Sequence, residues 1–296
     1  MVSARGRLQV VATPIGNLAD LSPRAREALA SAAIIAAEDT RHTRVLLEAV
    51  GVSTPLVSLH AHNEGARVPE LLARLAQGED VALVSDAGTP LISDPGFELV
   101  RRAVEAGFAV QAVPGPSAIT AALAVAGLPT QRFCFEGFLP ARAAERRRAL
   151  AGLAREPRTL VFFEAPHRIH ATLADLATAF GAGRRAVVAR ELTKMHETLY
   201  RGTLGELLQR AGEDSNFGRG ELTIVVHGAA ATAAAADEPA LRRAVEILLE
   251  ELPPGRAAAA AARLTGASRS AAYALATRRG GSGAGRRSPP ADEEMP

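Results

Sequence analysis

The 296-residue chain has one cysteine, one lysine and no long apolar run. A single cysteine, Cys134, excludes a disulfide framework and a cysteine-rich zinc site. No apolar run approaches the ~18 residues of a membrane span. The basic start at Arg5 and Arg7 also lacks the apolar segment that follows in a signal peptide. We therefore expect a cytoplasmic protein with no membrane segment.

Several standard motifs are also missing from the sequence. Without G-x-x-x-x-G-K-[ST] it is not a P-loop NTPase, and without G-x-G-x-x-G it lacks the ordinary dinucleotide fingerprint. No serine stands at a nucleophile elbow of the kind that hydrolases use. His60 and His62 are close together, but no histidine or cysteine cluster has metal-ligand spacing, so we expect no metal.

Charge is nearly balanced overall, at +2, but it is unevenly distributed. Six arginines face two glutamates between residues 142 and 158, and seven arginines without any acidic residue lie between 256 and 287. Basic patches of this kind attract a phosphate backbone, although a solvated helix face is the alternative. Lys194 is the one lysine in a chain that otherwise uses arginine, which indicates a position where a compact ammonium is needed. The alternative is chance retention at the surface.

Three apolar runs in the first half of the chain each lead into a loop rich in glycine and proline, and a helical pattern follows each loop. The loops cover residues 13–17, 85–90 and 114–117. This alternation predicts a parallel sheet with the three loops at the carboxyl ends of its strands, where open α/β sheets bind ligands. The middle loop continues to Gly96, and its Asp86 and Asp94 can accept hydrogen bonds, the alternative being a plain pair of turns.

The remaining pattern predicts a second α/β part with a mixed sheet and then a helix-turn-helix, with Ser268 capping its last helix. We expect an α/β domain over 1–117, a second over 118–228, a linker over 229–237, a helical domain over 238–279 and a disordered tail over 280–296.

Seven segments of the sequence resemble the ribosomal RNA small subunit methyltransferase I group of the tetrapyrrole methylase superfamily. In order they are ATPIGNL (12–18), AEDTR (37–41), SDAGTPLISDPG (85–96), VPGPS (113–117), FEGFLP (135–140), FFEAPHR (162–168) and RELTKMHE (190–197). The first segment departs from the glycine-rich loop of the wider superfamily, and this departure is itself a mark of the RNA-modifying group.

The resemblance implies a homodimer of two α/β domains of tetrapyrrole-methylase type, with S-adenosylmethionine in the cleft between them. It implies methylation of the ribose 2′-oxygen of a cytidine, position 1402, in 16S ribosomal RNA, either free or in the assembled small subunit. The residues it implies for the cofactor cleft are Pro14, Ser85, Asp86, Ala87, Gly88, Thr89, Pro90, Ile92, Asp94, Pro116, Ser117, Phe163, Glu164, Ala165, Leu222 and Thr223.

A ribose hydroxyl is a weak acid, so a base or a cation near it should assist methyl transfer. The candidates are Lys194, with Glu191 beside it, and Glu38. RNA contacts are expected from Asp39, Arg41, His62, Asn63, Arg146, Arg147, His167, Arg168, Arg190 and His196. The alternative for both polar clusters is RNA positioning or a salt bridge at a dimer interface.

Two other functions stay open on the sequence alone. One is a methyltransferase for a tetrapyrrole precursor, with the same fold and cofactor but a small-molecule acceptor. The other is a non-catalytic nucleic-acid-binding regulator built around the helix-turn-helix. The arginine-rich segments count against the first, and the polar loops at the sheet edge count against the second.

Overall fold

The computed structural model describes residues 6–230 and 238–278. The chain divides into two compact units, Met1–Ala229 and Ala230–Pro296. No helix among the described residues is both long and apolar enough to cross a membrane. Both α/β sheets lie in the first unit, with one sheet inside each of the two predicted α/β ranges. The boundary between residues 117 and 118 therefore stays a prediction.

The first sheet has five parallel strands in the order β3-β2-β4-β1-β5, which confirms the parallel alternation. Strands β2 and β4 are buried on both faces, as expected when helices cover a parallel sheet on both sides. The strands are β1 (Arg7–Val11), β2 (Ile34–Ala37), β3 (Leu56–Ser58), β4 (Val81–Val84) and β5 (Ala109–Val113). The helices are α1 (Pro23–Ser31), α2 (Thr40–Ala49), α3 (Glu64–Ala76), α4 (Phe97–Glu105) and α5 (Ala118–Ala126).

Polar residues organise the starts of α2 and α3. The Asp39 side chain accepts a hydrogen bond from the Arg41 backbone at 2.8 Å and caps α2. Asn63, just before α3, accepts from the His60 backbone at 2.8 Å and donates to the Ser58 carbonyl at 3.1 Å. Helix α1 is capped by Ser22, whose side chain accepts from the Ala25 backbone at 3.1 Å.

The second sheet has the order β6-β7-β10-β8-β9 and is mixed, as expected. Only β6 and β7 are parallel within it, and their register shifts between Phe135 and Gly137. Its strands are β6 (Phe133–Phe138), β7 (Thr159–Glu164), β8 (Arg185–Arg190), β9 (Thr198–Thr203) and β10 (Leu222–Val226). Its helices are α6 (Ala143–Leu153), α7 (Ile169–Phe180) and α8 (Leu204–Glu213). Strand β9 was not foreseen, because it is a half-buried edge strand of mixed polarity.

The second unit is helical and has its own small core. Helices α9 (Glu238–Glu251), α10 (Pro254–Thr265) and α11 (Arg269–Arg278) pack leucine, valine and alanine side chains together. Ser268 caps α11 by accepting from the Ala271 backbone at 3.2 Å, which confirms the predicted cap. The predicted tail and most of the predicted linker lie outside the described residues.

Candidate active site

The three predicted loops meet and are joined by hydrogen bonds. The backbones of Thr13 and Gly88 bond to each other in both directions, at 2.9 and 3.0 Å. The Thr89 hydroxyl donates to the Pro116 carbonyl at 3.2 Å and thereby connects the second loop to the third. Gly88 has a φ of +83°, and a Cβ there would lie 3.3 Å from the Ile15 side chain. The convergence of these loops needs a residue without a side chain at this position.

A cavity of about 380 Å³ lies beside these loops and is closed on its other side by the second sheet. This size falls within the range of small-molecule pockets, about 300–1,000 Å³. Its lining contains most of the residues implied for the cofactor, namely Asp86, Ala87, Gly88, Thr89, Ile92, Asp94, Ser117, Phe163, Glu164, Ala165, Leu222 and Thr223. That these residues contact a cofactor stays a prediction.

Four of the implied residues do not line the cavity. Ser85 is buried behind its wall, and its carbonyl accepts from the Thr13 hydroxyl at 3.3 Å. Pro14, Pro90 and Pro116 belong to the same loops and shape them without facing the cavity.

The sequence reasoning missed nine lining residues, most of them apolar or small, which are Ile15, Ser93, Ala118, Phe138, Pro166, Ala189, Leu192, Gly220 and Glu221. Ser93 and Ala118 directly follow predicted residues, so a wider window would have found them. Nothing in the local sequence singles out Ala189 or Gly220. Ala189 reaches the cavity through the pairing of β8 with β10, and Gly220 lies in the loop just before β10.

Acidic residues surround the loop between β4 and α4. Burial raises the pKa of Glu38, and the negative charges of Asp86 and Asp94 raise it further. Burial also raises the pKa of Asp94, although a hydrogen bond from Ser85 opposes this. Asp86 accepts from the Asp39 backbone at 3.0 Å. This edge of the sheet therefore concentrates negative charge, and it favours a ligand that carries positive charge.

Lys194 lies in an ion-pair cluster on the side of the second sheet. Its ammonium is 2.8 Å from Glu191 Oε1 and 3.1 Å from Glu221 Oε2, and Glu221 lines the cavity. A Cβ on Gly16 would clash with the aliphatic part of Lys194, so the first loop packs closely on this side chain. A Cβ on Gly220 would likewise clash with the carboxylate of Glu191.

The same contacts decide the charge states of this cluster. Burial would lower the pKa of Lys194, but the hydrogen bond to Glu191 and the charge of Glu221 outweigh it, so the pKa is raised. Burial would raise the pKa of Glu191, yet hydrogen bonds from Lys194 and from the Glu221 backbone lower it overall. These contacts therefore favour the charged form of Lys194, and a charged ammonium stabilises negative charge rather than accepting a proton. Glu191 accepts bonds from both neighbours and orients the lysine.

Of the residues expected to bind RNA, four have side chains already engaged inside the protein. Arg146 is buried and bonds to Asp175, and Arg190 is buried and donates to the carbonyls of Arg219 and His196. Arg168 contacts Glu164 and the Leu139 carbonyl, and Asn63 organises the turn before α3. Arg146 was expected to bind RNA because it stands among other arginines in the sequence. Its burial does not fit a contact with RNA at the surface.

The other expected RNA contacts lie at or near the surface. Arg41 is 90% exposed in its side chain, although it pairs with Asp39. His62, Arg147, His167 and His196 are exposed as well. Catalytic candidate Glu38 is half-buried just after β2 of the first sheet, beside the acidic residues, and Lys194 follows β8 of the second sheet. Neither side chain lines the cavity itself.

A fold of two sheets with a cavity at the ends of the parallel strands matches a known family. The model for Tetrapyrrole (Corrin/Porphyrin) Methylases matches residues 7–208. The fold is similar to that of diphthine synthase, with a TM-score of 0.57 and 18% identity, covering 75% of this chain and 90% of that one. Uroporphyrin-III-C-methyltransferase from Thermus thermophilus gives 0.52 and 22%, covering 75% and 94%. The chain belongs to the tetrapyrrole methylase family.

Within the family the similarity is much stronger to proteins named ribosomal RNA small subunit methyltransferase I. The one from Xylella fastidiosa strain Temecula1 is 59% identical over 229 residues, which are 77% of this chain and 84% of that protein. The one from Escherichia coli O157:H7 is 51% identical over 226 residues, which are 76% and 79%. A model described as the RsmI C-terminal HTH domain matches residues 235–280. The resemblance seen in the seven motifs is thereby confirmed.

Proposed function

We propose that this chain is an S-adenosylmethionine-dependent methyltransferase that acts on 16S ribosomal RNA, at the ribose 2′-oxygen of a cytidine, position 1402. The observation that carries the proposal is the 59% identity, over 229 residues, to a relative named for methylation of small-subunit ribosomal RNA. That length can cover both sheets and all the loops around the cavity. The tetrapyrrole methylases of similar fold are at most 22% identical among those compared and support the fold alone.

The cavity suits S-adenosylmethionine on chemical grounds. Its wall around Ala87 and Gly88 lets a ligand approach the backbone, and Asp86 and Asp94 offset positive charge. Phe163 and Leu222 supply apolar surface for the rest of the molecule. When bound, this cofactor supplies a methyl group on a positively charged sulfur, and an in-line displacement transfers that group to a nucleophile.

We assign the steps at the acceptor hydroxyl of the RNA to charged residues that flank the strands of the second sheet. Lys194, held charged by Glu191, places an ammonium where it can stabilise negative charge developing on the ribose oxygen. The hydroxyl proton needs an acceptor, and Lys194 cannot take it. Glu221 is the carboxylate that both lines the cavity and lies next to Lys194, so we assign it this role. Glu38 does not line the cavity, and we assign it a contribution of charge rather than proton transfer.

Exposed arginines supply affinity for the RNA backbone. Arg147 and Arg148 on α6, and Arg256, Arg263 and Arg269 in the helical unit, are all exposed. Neutralising phosphates with such residues releases counterions and strengthens binding without reading sequence. The proposal includes a homodimer in the cytoplasm, where small ribosomal subunits are its substrate.

The test is transfer of tritiated methyl groups from S-adenosylmethionine to small ribosomal subunits that lack the modification. Nucleoside analysis should recover the label in 2′-O-methylcytidine. Free 16S RNA, tested in parallel, distinguishes the two forms of substrate. Label in a base, or in a porphyrin precursor instead of RNA, would contradict the proposal. Calorimetry without detectable binding of S-adenosylmethionine would favour a non-catalytic regulator instead.

A further inference from the structure

Phe138 is an exposed aromatic residue at the cavity whose position none of the functional assignments explains. It lines the cavity and is 55% exposed. Its ring stands edge-on to Phe163, with 5.6 Å between centroids, and Phe163 in turn contacts Phe135 at 4.8 Å. Large apolar side chains that stay exposed beside a pocket mark a contact surface for a partner or ligand.

A β-bulge puts Phe138 there. Strand β6 is parallel to β7, and Phe135 lies opposite Val161. Two residues further along β7, Phe163 lies opposite Phe138, which is three residues beyond Phe135. Glu136 is therefore the extra residue of β6, since Phe135 and Gly137 lie opposite consecutive residues of β7.

The insertion changes the face to which Phe138 belongs. Side chains alternate between the faces of a strand, so an unbulged β6 would place Phe138 opposite Glu164 and on the face of Phe162, in the buried core. The bulge moves it to the face of Phe163, which lines the cavity. Gly137 makes the bulge possible with a φ of +66°, and it lies against Ser93 of the cavity loop. Bulges next to active sites often re-aim a side chain in this way.

The charge around Phe138 indicates the class of ligand. Helix α6 begins five residues later, so its first turn is within ~18 Å along the chain. Arg147 and Arg148 on this helix are exposed and form no salt bridge with any residue that the structure describes. A flat apolar ring, followed along the chain by a helix with arginines free of salt bridges, fits a nucleotide of a single-stranded segment, whose base stacks while its phosphates meet arginine.

We propose that Phe138, supported edge-on by Phe163, stacks against a base of the RNA substrate and thereby positions the target nucleotide over the cavity. This inference rests on the proposed function, because it assigns the surface that holds the acceptor. A nucleotide whose ribose hydroxyl enters the cavity must leave its helical stack, and an aromatic ring at the rim replaces the lost stacking.

The test compares Phe138→Ala with Phe133→Ala in the full-length chain. Phe133 is the matched control, since it is 42% exposed on the same strand but does not line the cavity. We expect Phe138→Ala to lower kcat/KM for unmethylated small subunits about 5- to 150-fold, the range that loss of base stacking produces. Phe138→Trp should restore most of the activity, and Phe133→Ala should match wild type. The affinity for S-adenosylmethionine, measured by calorimetry, should stay within a factor of two of wild type in every variant.

Three results would overturn the inference. Wild-type kcat/KM in Phe138→Ala would show that the ring makes no contact with the substrate. A parallel loss of S-adenosylmethionine affinity would make Phe138 a cofactor contact. A change of mass in light scattering would make it part of a subunit interface. If the wild-type chain itself methylates no small subunits, the proposed function fails, and that result is distinct from all three.

Discussion

Arg146 and Arg147 are adjacent in the basic segment, yet the structure assigns them opposite roles. The Arg146 side chain is 6% exposed, and its Nε lies 2.7 Å from Asp175 Oδ2 on α7. Its NH1 also donates to the Ala141 carbonyl at 3.3 Å. Arg147 is exposed. Replacing each with alanine therefore separates a structural ion pair from a surface charge.

Arg146→Ala leaves the carboxylate of Asp175 buried and without its partner. Breaking a buried pair in this way costs about 3–5 kcal/mol. For a domain of this size, each 1 kcal/mol lowers the melting temperature by about 2–4 °C, so we expect a fall of roughly 6–20 °C. Arg147→Ala, at an exposed position, should change the free energy of unfolding by less than about 0.5 kcal/mol.

RNA binding should show the reverse order. The logarithm of affinity falls with the logarithm of salt concentration, and each lost phosphate contact reduces that slope by about 0.7–0.9. At a temperature where both variants are folded, Arg147→Ala should reduce the slope and Arg146→Ala should not. Calorimetric melting and filter binding at several salt concentrations measure both quantities. Equal melting temperatures, or a reduced slope for Arg146→Ala alone, would refute this reasoning. As a further check, Arg146→Met combined with Asp175→Leu should recover most of the lost stability, since the charge that lacked a partner is gone.

Three further predictions concern charge. Lys194→Ala should slow methyl transfer about 10²–10³-fold in single turnover and Lys194→Arg by less, whereas wild-type rates in both would exclude a catalytic role. Because burial raises the pKa of Glu38 in the folded state, the free energy of unfolding should fall as pH rises above the ordinary glutamate range. Glu38→Gln should make this fall smaller in urea unfolding between pH 4 and pH 7, with the raised pKa of Asp94 accounting for part of what remains, and an unchanged pH profile would contradict it. Changing Arg256, Arg263 and Arg269 together to glutamine should reduce the salt slope of RNA binding by about 2, and an unchanged slope would leave the helical unit without a role in RNA affinity.

The parallel sheet and its three loops could be predicted because their signals are local. Each strand is a short apolar run, each loop contains glycine or proline, and parallel strands direct their ends to one edge. The prediction that Asp86 and Asp94 face a ligand site depended on this geometry alone, and both line the cavity. In a parallel sheet every strand ends at the same edge, whatever the order of the strands in the sheet. The positions of the strands along the chain were therefore sufficient to predict which edge carries the loops.

The role of a charged side chain could not be predicted in the same way, because its partner is distant in sequence. Arg146 and Asp175 are 29 residues apart, and nothing near Arg146 distinguishes it from Arg147 or Arg148. Lys194 was singled out by its rarity, but one of its two ion-pair partners, Glu221, is 27 residues away and is brought to it by the loop before β10. Which arginine of a charged segment is buried depends on packing against distant residues, and this cannot be predicted from the composition of the segment.

Phe138 shows how one inserted residue changes the face of a strand on which the following side chains lie. Counting alternate residues along β6 from Phe135 assigns Phe138 to the opposite face, so periodicity alone predicts a core residue. The only local indication of a different outcome is Gly137, the one residue of this strand that adopts a positive φ without strain. A glycine inside a strand pattern indicates a bulge or a close approach of another backbone, and a bulge reverses every face assignment beyond it. The functional surface of the second sheet therefore depends on a register shift, and an aromatic residue that follows a strand glycine is a candidate for the site rather than for the core.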